Sequence, residues 1–182
     1  ERFSLLGLSM GGNVSLAYAS ECPEELERLV IVDIAPEIAA AGLSRVYANA
    51  ARDDRFASVE EAVQRALEDS PIAPEDMVRE RAVNSMMLME DGAWTYSYDR
   101  ALRDPNMPRD RLDADEGWSR VANIAVPTLL IRGALSDILD RDIAERFCDT
   151  VPDCRLVEVA GAGHSVPLDK PDEFLAAART FL

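Results

Sequence analysis

The stretch Phe3-Ser4-Leu5-Leu6-Gly7-Leu8-Ser9-Met10-Gly11-Gly12-Asn13 (FSLLGLSMGGN) sets a serine between glycines, after an apolar run and before a helical pattern. Residues 3–8 are mostly apolar and bounded by glycine, the composition of a buried strand in a parallel sheet. Beyond Ser9, residues 10–20 carry apolar side chains at Met10, Val14, Ala17 and Tyr18, a helical spacing. Strand and helix are thus joined with almost no loop. So sharp a turn strains its central residue and crowds the flanking segments, and Gly7 and Gly11, lacking Cβ, answer that crowding. The Ser9 hydroxyl then projects from the carboxyl end of the strand, beside free helix N–H groups that stabilise negative charge.

Gly7-x-Ser9-x-Gly11 has the spacing of a nucleophile elbow. A serine hydroxyl attacks only when a base takes its proton and a third group orients that base. The sequence holds one histidine, His164, in the loop Ala160-Gly161-Ala162-Gly163-His164-Ser165 after the strand-like run 155–159. Two glycines allow such a loop to carry an imidazole over a sheet edge. The orienting carboxylate should also follow a strand. Asp137 stands four residues past Gly133 in LLIRGALSD, and Asp33 ends the apolar run 28–33. Asp137 is the preferred acid and Asp33 its competitor; Asp140 reads as the cap of the next helix. The Met10 backbone N–H, directly after Ser9, is the expected oxyanion donor.

With 182 residues, 48% of them hydrophobic, the chain can bury a sizeable core. A net charge of −15 argues against nucleic acid or an anionic membrane as partner, since both call for a basic patch. No apolar run reaches the length of a membrane span. A small-molecule substrate is the expected partner. The only histidine is committed to the triad and no cluster has metal-ligand spacing, so neither a metal nor an organic cofactor is expected. Cys22, Cys148 and Cys154 are odd in number and sit in or near apolar segments, so they are expected to be reduced thiols in a cytoplasmic protein. The sequence opens on Glu1 and enters a strand almost at once, which leads us to expect the carboxyl-terminal part of a longer protein.

Further along, 28–33 reads as a second buried strand. Residues 36–119 change character, becoming helical, charged and methionine-rich. Ser58-Val59-Glu60-Glu61 is a capping-box pattern opening a helix with Ala62, Val63, Ala66 and Leu67 on its apolar face. A second helix is expected from Pro74 through Met86, Met87 and Met89. Trp94, Tyr96 and Tyr98 alternate as on one face of an extended segment. Residues 105–108 and 113–116 read as a linker. Strand 127–133, helix 140–150, strand 155–159 and helix 171–182 complete a strand–helix alternation, which argues for a doubly wound α/β sheet with functional groups at the strands' carboxyl ends.

The order Ser9, Asp137, His164, together with GLSMGG, RLVIVDIAPE, VPTLLIRGALSD and VAGAGHSVPLDKPDEFLAAARTFL, resembles the α/β-hydrolase superfamily. The resemblance implies an α/β fold comprising the carboxyl-terminal half of the hydrolase sheet (1–35 and 120–182) with a helical cap insertion (36–119). It also implies an esterase- or lactonase-like serine hydrolase. Met86, Met89, Trp94 and Tyr96 in the cap would line the substrate pocket. Carbon–carbon bond hydrolysis, enol-lactone opening, cofactor-free perhydrolysis and non-catalytic ligand binding are the alternatives within the fold. Superfamily members carry further strands before the elbow, and a loop there supplies a second oxyanion donor. The chain by itself is therefore expected to be inactive or poorly folded, and its parent active.

Overall fold

The computed structural model describes residues 1–103 and 113–182; the expected linker at 105–108 lies outside them. Along the chain, β1 (Phe3–Leu8) leads into α1 (Met10–Ser20), β2 (Leu26–Val32) and α2 (Ala40–Ala51). Helices α3 (Val59–Asp69) and α4 (Glu75–Asn84) precede strands β3 (Met86–Leu88) and β4 (Trp94–Tyr96). Then come α5 (Ala114–Val121), β5 (Thr128–Gly133), α6 (Arg141–Thr150), β6 (Cys154–Val159), α7 (Val166–Asp169) and α8 (Pro171–Phe181). Two compact units result, Glu1–Ser44 with Arg111–Leu182, and Arg45–Asp110.

The first unit is built on a parallel sheet of order β1-β2-β5-β6. Successive strand residues face opposite sides. Leu29 and Ile31 accordingly join Leu16 of α1, Trp118 of α5 and Phe147 of α6. Val30 and Val32 join Val166 of α7 and Ala178 of α8 on the other face. Helices cover both faces, which is why β2 and β5 are apolar without alternation. Strand β1 differs from the buried strand expected of it. It pairs with β2 alone among the described residues, and Phe3 and Leu6 are 39% and 41% exposed.

The register places the functional edge. Leu8 pairs with Val32, Val32 with Ile131, and Gly133 with Val159. Four strand ends therefore stand side by side, followed by Ser9, Asp33, the turn after Gly133, and the loop holding His164.

At the first turn, crowding falls on Gly7 as expected, but on Gly12 in place of Gly11. A Cβ on Gly7 would collide with the Gly11 carbonyl and Ser15, and one on Gly12 would collide with the Ile34 side chain. A Cβ on Gly11 would meet nothing within 4 Å.

In the second unit, the Ser58 hydroxyl accepts from Glu61 N at 3.2 Å, while the Glu61 carboxylate accepts from Ala57 N at 2.7 Å, one residue before the cap. Helix α4 stops at Asn84, not near Met89 as expected. Met86 to Leu88 instead pair antiparallel with β4 around a turn at Asp91-Gly92, where Gly92 has φ 83°. Strand pairing gives these methionine backbones partners that outweigh their helix propensity. Asp113 to Glu116 are not linker. Asp113 caps α5, accepting from Glu116 N at 2.7 Å, and Asp115 and Glu116 fill the first turn, where the helix dipole favours negative charge.

The cysteines also differ from expectation. Cys148 near the end of α6 and Cys154 at the start of β6 form a disulfide, their Cα atoms 4.9 Å apart, and Cys22 is the free, exposed one. With that bond the sequence argument for a cytoplasmic location falls away. Among the described residues no helix is long and apolar enough to cross a membrane.

Candidate active site

Ser9 occupies the residue between β1 and α1 with φ 52° and ψ −118°, a conformation non-glycine residues rarely adopt. Its N–H is held by Val32 O at 3.1 Å. The strained turn is thus anchored to the neighbouring strand, and the side chain is turned out over the sheet edge. Met10 opens α1, so its amide is among the first helical N–H groups, which have no intrahelical acceptor. Met10 itself is 69% exposed.

His164 lies across the edge from Ser9, its Nε2 2.9 Å from Ser9 Oγ. The loop that carries it is fixed on three sides. The Gly163 N–H donates to the buried Asp169 carboxylate at 2.8 Å, Leu135 N–H donates to Ala162 O at 2.8 Å, and Gly161 makes the bend at φ 72°. A Cβ on Gly133 would strike the Gly163 and Ala162 carbonyls, so glycine at the end of β5 lets the loop approach this closely.

The carboxylate beside His164 belongs to Asp33, not to the expected Asp137. Asp33 Oδ2 lies 2.8 Å from His164 Nδ1. Asp33 directly follows Val32, and its φ of 53° turns the side chain into the edge, with its N–H bonded to Ile131 O at 2.8 Å. Asp137 lies four residues past β5, half-buried, with its carbonyl against Gly42 of α2. The loop after β5 still reaches the site through other groups. Gly133 N–H donates to Asp33 Oδ1 at 2.8 Å, and the Ser136 hydroxyl donates to Asp33 Oδ2. Asp33 is fully buried, and these donors supply the partners that a buried carboxylate requires. Ser136 was not anticipated; its signal was a serine just past a buried strand.

A carboxylate only accepts hydrogen bonds, so the neutral imidazole carries its proton on Nδ1 toward Asp33. Nε2 is left to accept from the Ser9 hydroxyl. The three side chains form a continuous relay, with the His164 side chain 17% exposed at its outer end. No group of three or more potential metal-ligating side chains is gathered among the described residues.

Of the four side chains expected to line a pocket, Met86, Met89, Trp94 and Tyr96 are each half-buried in the second unit. Tyr96 lines a cleft of about 250 Å³ with Arg52, Asp54, Arg65, Asp69 and Tyr98, a largely polar wall. Burial raises the Tyr96 phenol above its ordinary range. Arg52 pairs with Asp69 at 2.7 Å and the Tyr98 hydroxyl reaches Asp54 at 3.3 Å. Met86, Met89 and Trp94 do not line this cleft.

A doubly wound parallel sheet with a strained serine turn and an imidazole at its carboxyl edge is the architecture of the α/β hydrolases. The chain belongs to the alpha/beta hydrolase family, whose profile matches residues 1–178. Among curated relatives, esterase YbfF of Escherichia coli is 26% identical over 100% of this chain and 68% of its own length. The sn-1-specific diacylglycerol lipase ABHD11 of Danio rerio is 28% identical over 98% of this chain and 56% of its own length. The solved structure of an alpha/beta hydrolase from Novosphingobium aromaticivorans superposes with a TM-score of 0.80 at 26% identity, covering 100% of this chain and 65% of that one. The chain thus spans little more than half to two thirds of the length of these proteins.

Proposed function

We propose that the protein is a serine hydrolase of small-molecule carboxylic esters, with Ser9 as nucleophile, His164 as general base and acid, and Asp33 as the orienting carboxylate. The observation that carries this reading is the uninterrupted relay from Ser9 Oγ through both imidazole nitrogens to Asp33. The esterase and lipase names of the relatives favour an ester over other acyl bonds.

In this scheme His164 Nε2 takes the Ser9 proton as Oγ attacks the substrate carbonyl, and Asp33 stabilises the resulting imidazolium. The Met10 N–H faces the oxyanion that develops. Collapse of the tetrahedral intermediate expels the alcohol, which leaves with the proton from Nε2, and Ser9 keeps the acyl group. Water then gives a proton to Nε2 and attacks the acyl-enzyme, releasing the acid and restoring the Ser9 hydroxyl.

The test is a fluorophosphonate probe together with p-nitrophenyl ester turnover by the full-length protein. The probe should label Ser9, and Ser9→Ala should lose both labelling and at least about 10⁴-fold in kcat. Ester hydrolysis that survives Ser9→Ala would reject the assignment.

A further inference from the structure

We propose that the cleft of the second unit is a binding site for a small aromatic carboxylate, held by the Arg65 guanidinium and the Tyr96 hydroxyl. Arg65 is half-buried on the cleft wall, and its neighbours leave it without a carboxylate. On helix α3 the acidic residues one turn away on either side are Glu61 and Asp69. The Glu61 carboxylate accepts from Ala57 N at 2.7 Å, and Asp69 is taken by Arg52 at 2.7 and 2.9 Å. Arg65 instead donates one N–H to the Asp53 carbonyl and lays its face on the buried Phe56 ring, 4.3 Å from the ring centre. Its other N–H groups have no acceptor among the described residues. A planar fork fixed by stacking, with its edge open, is the shape that takes a carboxylate through two parallel hydrogen bonds.

Tyr96 rests on the same ring. It meets Phe56 edge to face at 5.4 Å between centroids and stacks on Tyr98 at 5.7 Å. Its hydroxyl donates to no acceptor among the described residues, although the side chain lines the cleft. Burial raises the phenol above its ordinary range, so the hydroxyl keeps its proton and can donate it in a hydrogen bond.

Three aspartates share this wall with two arginines, yet each aspartate already has a donor. Asp69 is paired with Arg52, the buried Asp54 accepts from the Tyr98 hydroxyl at 3.3 Å, and Asp53 accepts from Arg55 N at 3.0 Å. The wall therefore offers surplus donors, and the ligand that complements it is an acceptor. A planar carboxylate suits the Arg65 fork, and the stacked tyrosine rings suit an aromatic body. At about 250 Å³ the cleft lies below the roughly 300–1,000 Å³ of sites for larger ligands, so the acid is small, of the size of benzoate.

The test is a calorimetric titration of the full-length protein with benzoate, and with benzamide and inorganic phosphate for comparison. Benzoate should bind. Benzamide, which keeps the ring without the charge, and phosphate, which keeps the charge without the ring, should each bind at least about tenfold more weakly. Arg65→Gln should weaken benzoate on the order of 10–100-fold, as for loss of hydrogen bonds between charged groups. Tyr96→Phe keeps the ring and its stacking, and should weaken benzoate by about tenfold through the hydroxyl alone. Circular dichroism identifies the variants that fold. The readout is binding, so it stands whether or not the protein turns over any ester. Absence of benzoate binding, equal binding of benzamide or phosphate, or an unchanged benzoate affinity in folded Arg65→Gln or Tyr96→Phe would each overturn the site.

Discussion

Replacing Asp33 with asparagine exchanges one oxygen for an NH₂ group, and the surroundings dictate the outcome. Gly133 N–H can only donate, so the oxygen of the new amide must take the Oδ1 side. The NH₂ then faces Ser136 and His164 Nδ1. The Ser136 oxygen already accepts from two backbone amides, so the new group's hydrogens have one acceptor within reach, the imidazole Nδ1. An imidazole that accepts there carries its proton on Nε2 and cannot take one from Ser9. The wrong tautomer lowers kcat by about 10⁴ in a serine triad, on the order of 5 kcal/mol of barrier. KM should hold, because Asp33 is fully buried behind His164. Steady-state kinetics of the full-length protein on a p-nitrophenyl ester would measure the loss, with circular dichroism to confirm folding. Asp137→Asn in parallel should retain most activity. A folded Asp33→Asn within about tenfold of the parent, or collapse of activity in Asp137→Asn instead, would refute the assignment of the acid.

Three further outcomes follow from packing. Gly7→Ala should lower stability by about 1–3 kcal/mol through collision with the Gly11 carbonyl and Ser15, whereas Gly11→Ala, in open space inside α1, should be neutral or stabilise by up to about 1 kcal/mol; paired thermal melts would expose a reversal of that order. Gly133→Ala should push the His164 loop away through the Gly163 and Ala162 carbonyls, so fluorophosphonate labelling of Ser9 should slow markedly, and an unchanged labelling rate would contradict that contact. Reducing the Cys148–Cys154 bond, which closes a separation of six residues, should cost about 2 kcal/mol by chain entropy, read as a drop of about 4–8 °C in Tm; an unmoved melt would count against the bond.

The sheet was legible because its signal is redundant. Residues 28–33 and 127–133 are mostly apolar runs, as burial on both faces favours, and the buried Arg132 is paired with Glu158 and the Leu139 carbonyl. The serine turn was legible from its glycines, although of the two expected to be crowded, Gly7 is and Gly11 is not. The acid was harder, for a geometric reason. In a parallel sheet every strand end reaches the same edge, so Asp33 after β2 and Asp137 after β5 were both topologically possible. The choice depends on one backbone dihedral at Asp33 and on the length of the turn after Gly133, and neither is encoded in apolar periodicity. The methionines misled because Met86, Met87 and Met89 fit a helical face about as well as a short strand; the stronger signal was Asp91-Gly92, a turn pair between two short apolar runs. The cysteine pair spans a helix end and a strand start, and its closeness arises only once α6 packs on β6.

The two residues at the ends of the relay share an unusual feature. Ser9 and Asp33 both have positive φ, 52° and 53°, each one residue past the end of its strand. Such conformations cost on the order of 1–3 kcal/mol apiece and persist only where the surroundings over-determine them. Here the determinant is the sheet itself. Ser9 N–H bonds to Val32 O and Asp33 N–H to Ile131 O, so each strained residue is still tied to the next strand when its own strand has formally ended. The hydrogen-bond ladder reaches one residue beyond the strands, and that residue is where the chain turns its functional group outward. The Ser9–His164–Asp33 distances therefore derive from the register of β1, β2, β5 and β6, and a change that slips β1 against β2 would carry the Ser9 hydroxyl away from the His164 imidazole without altering any of the three residues.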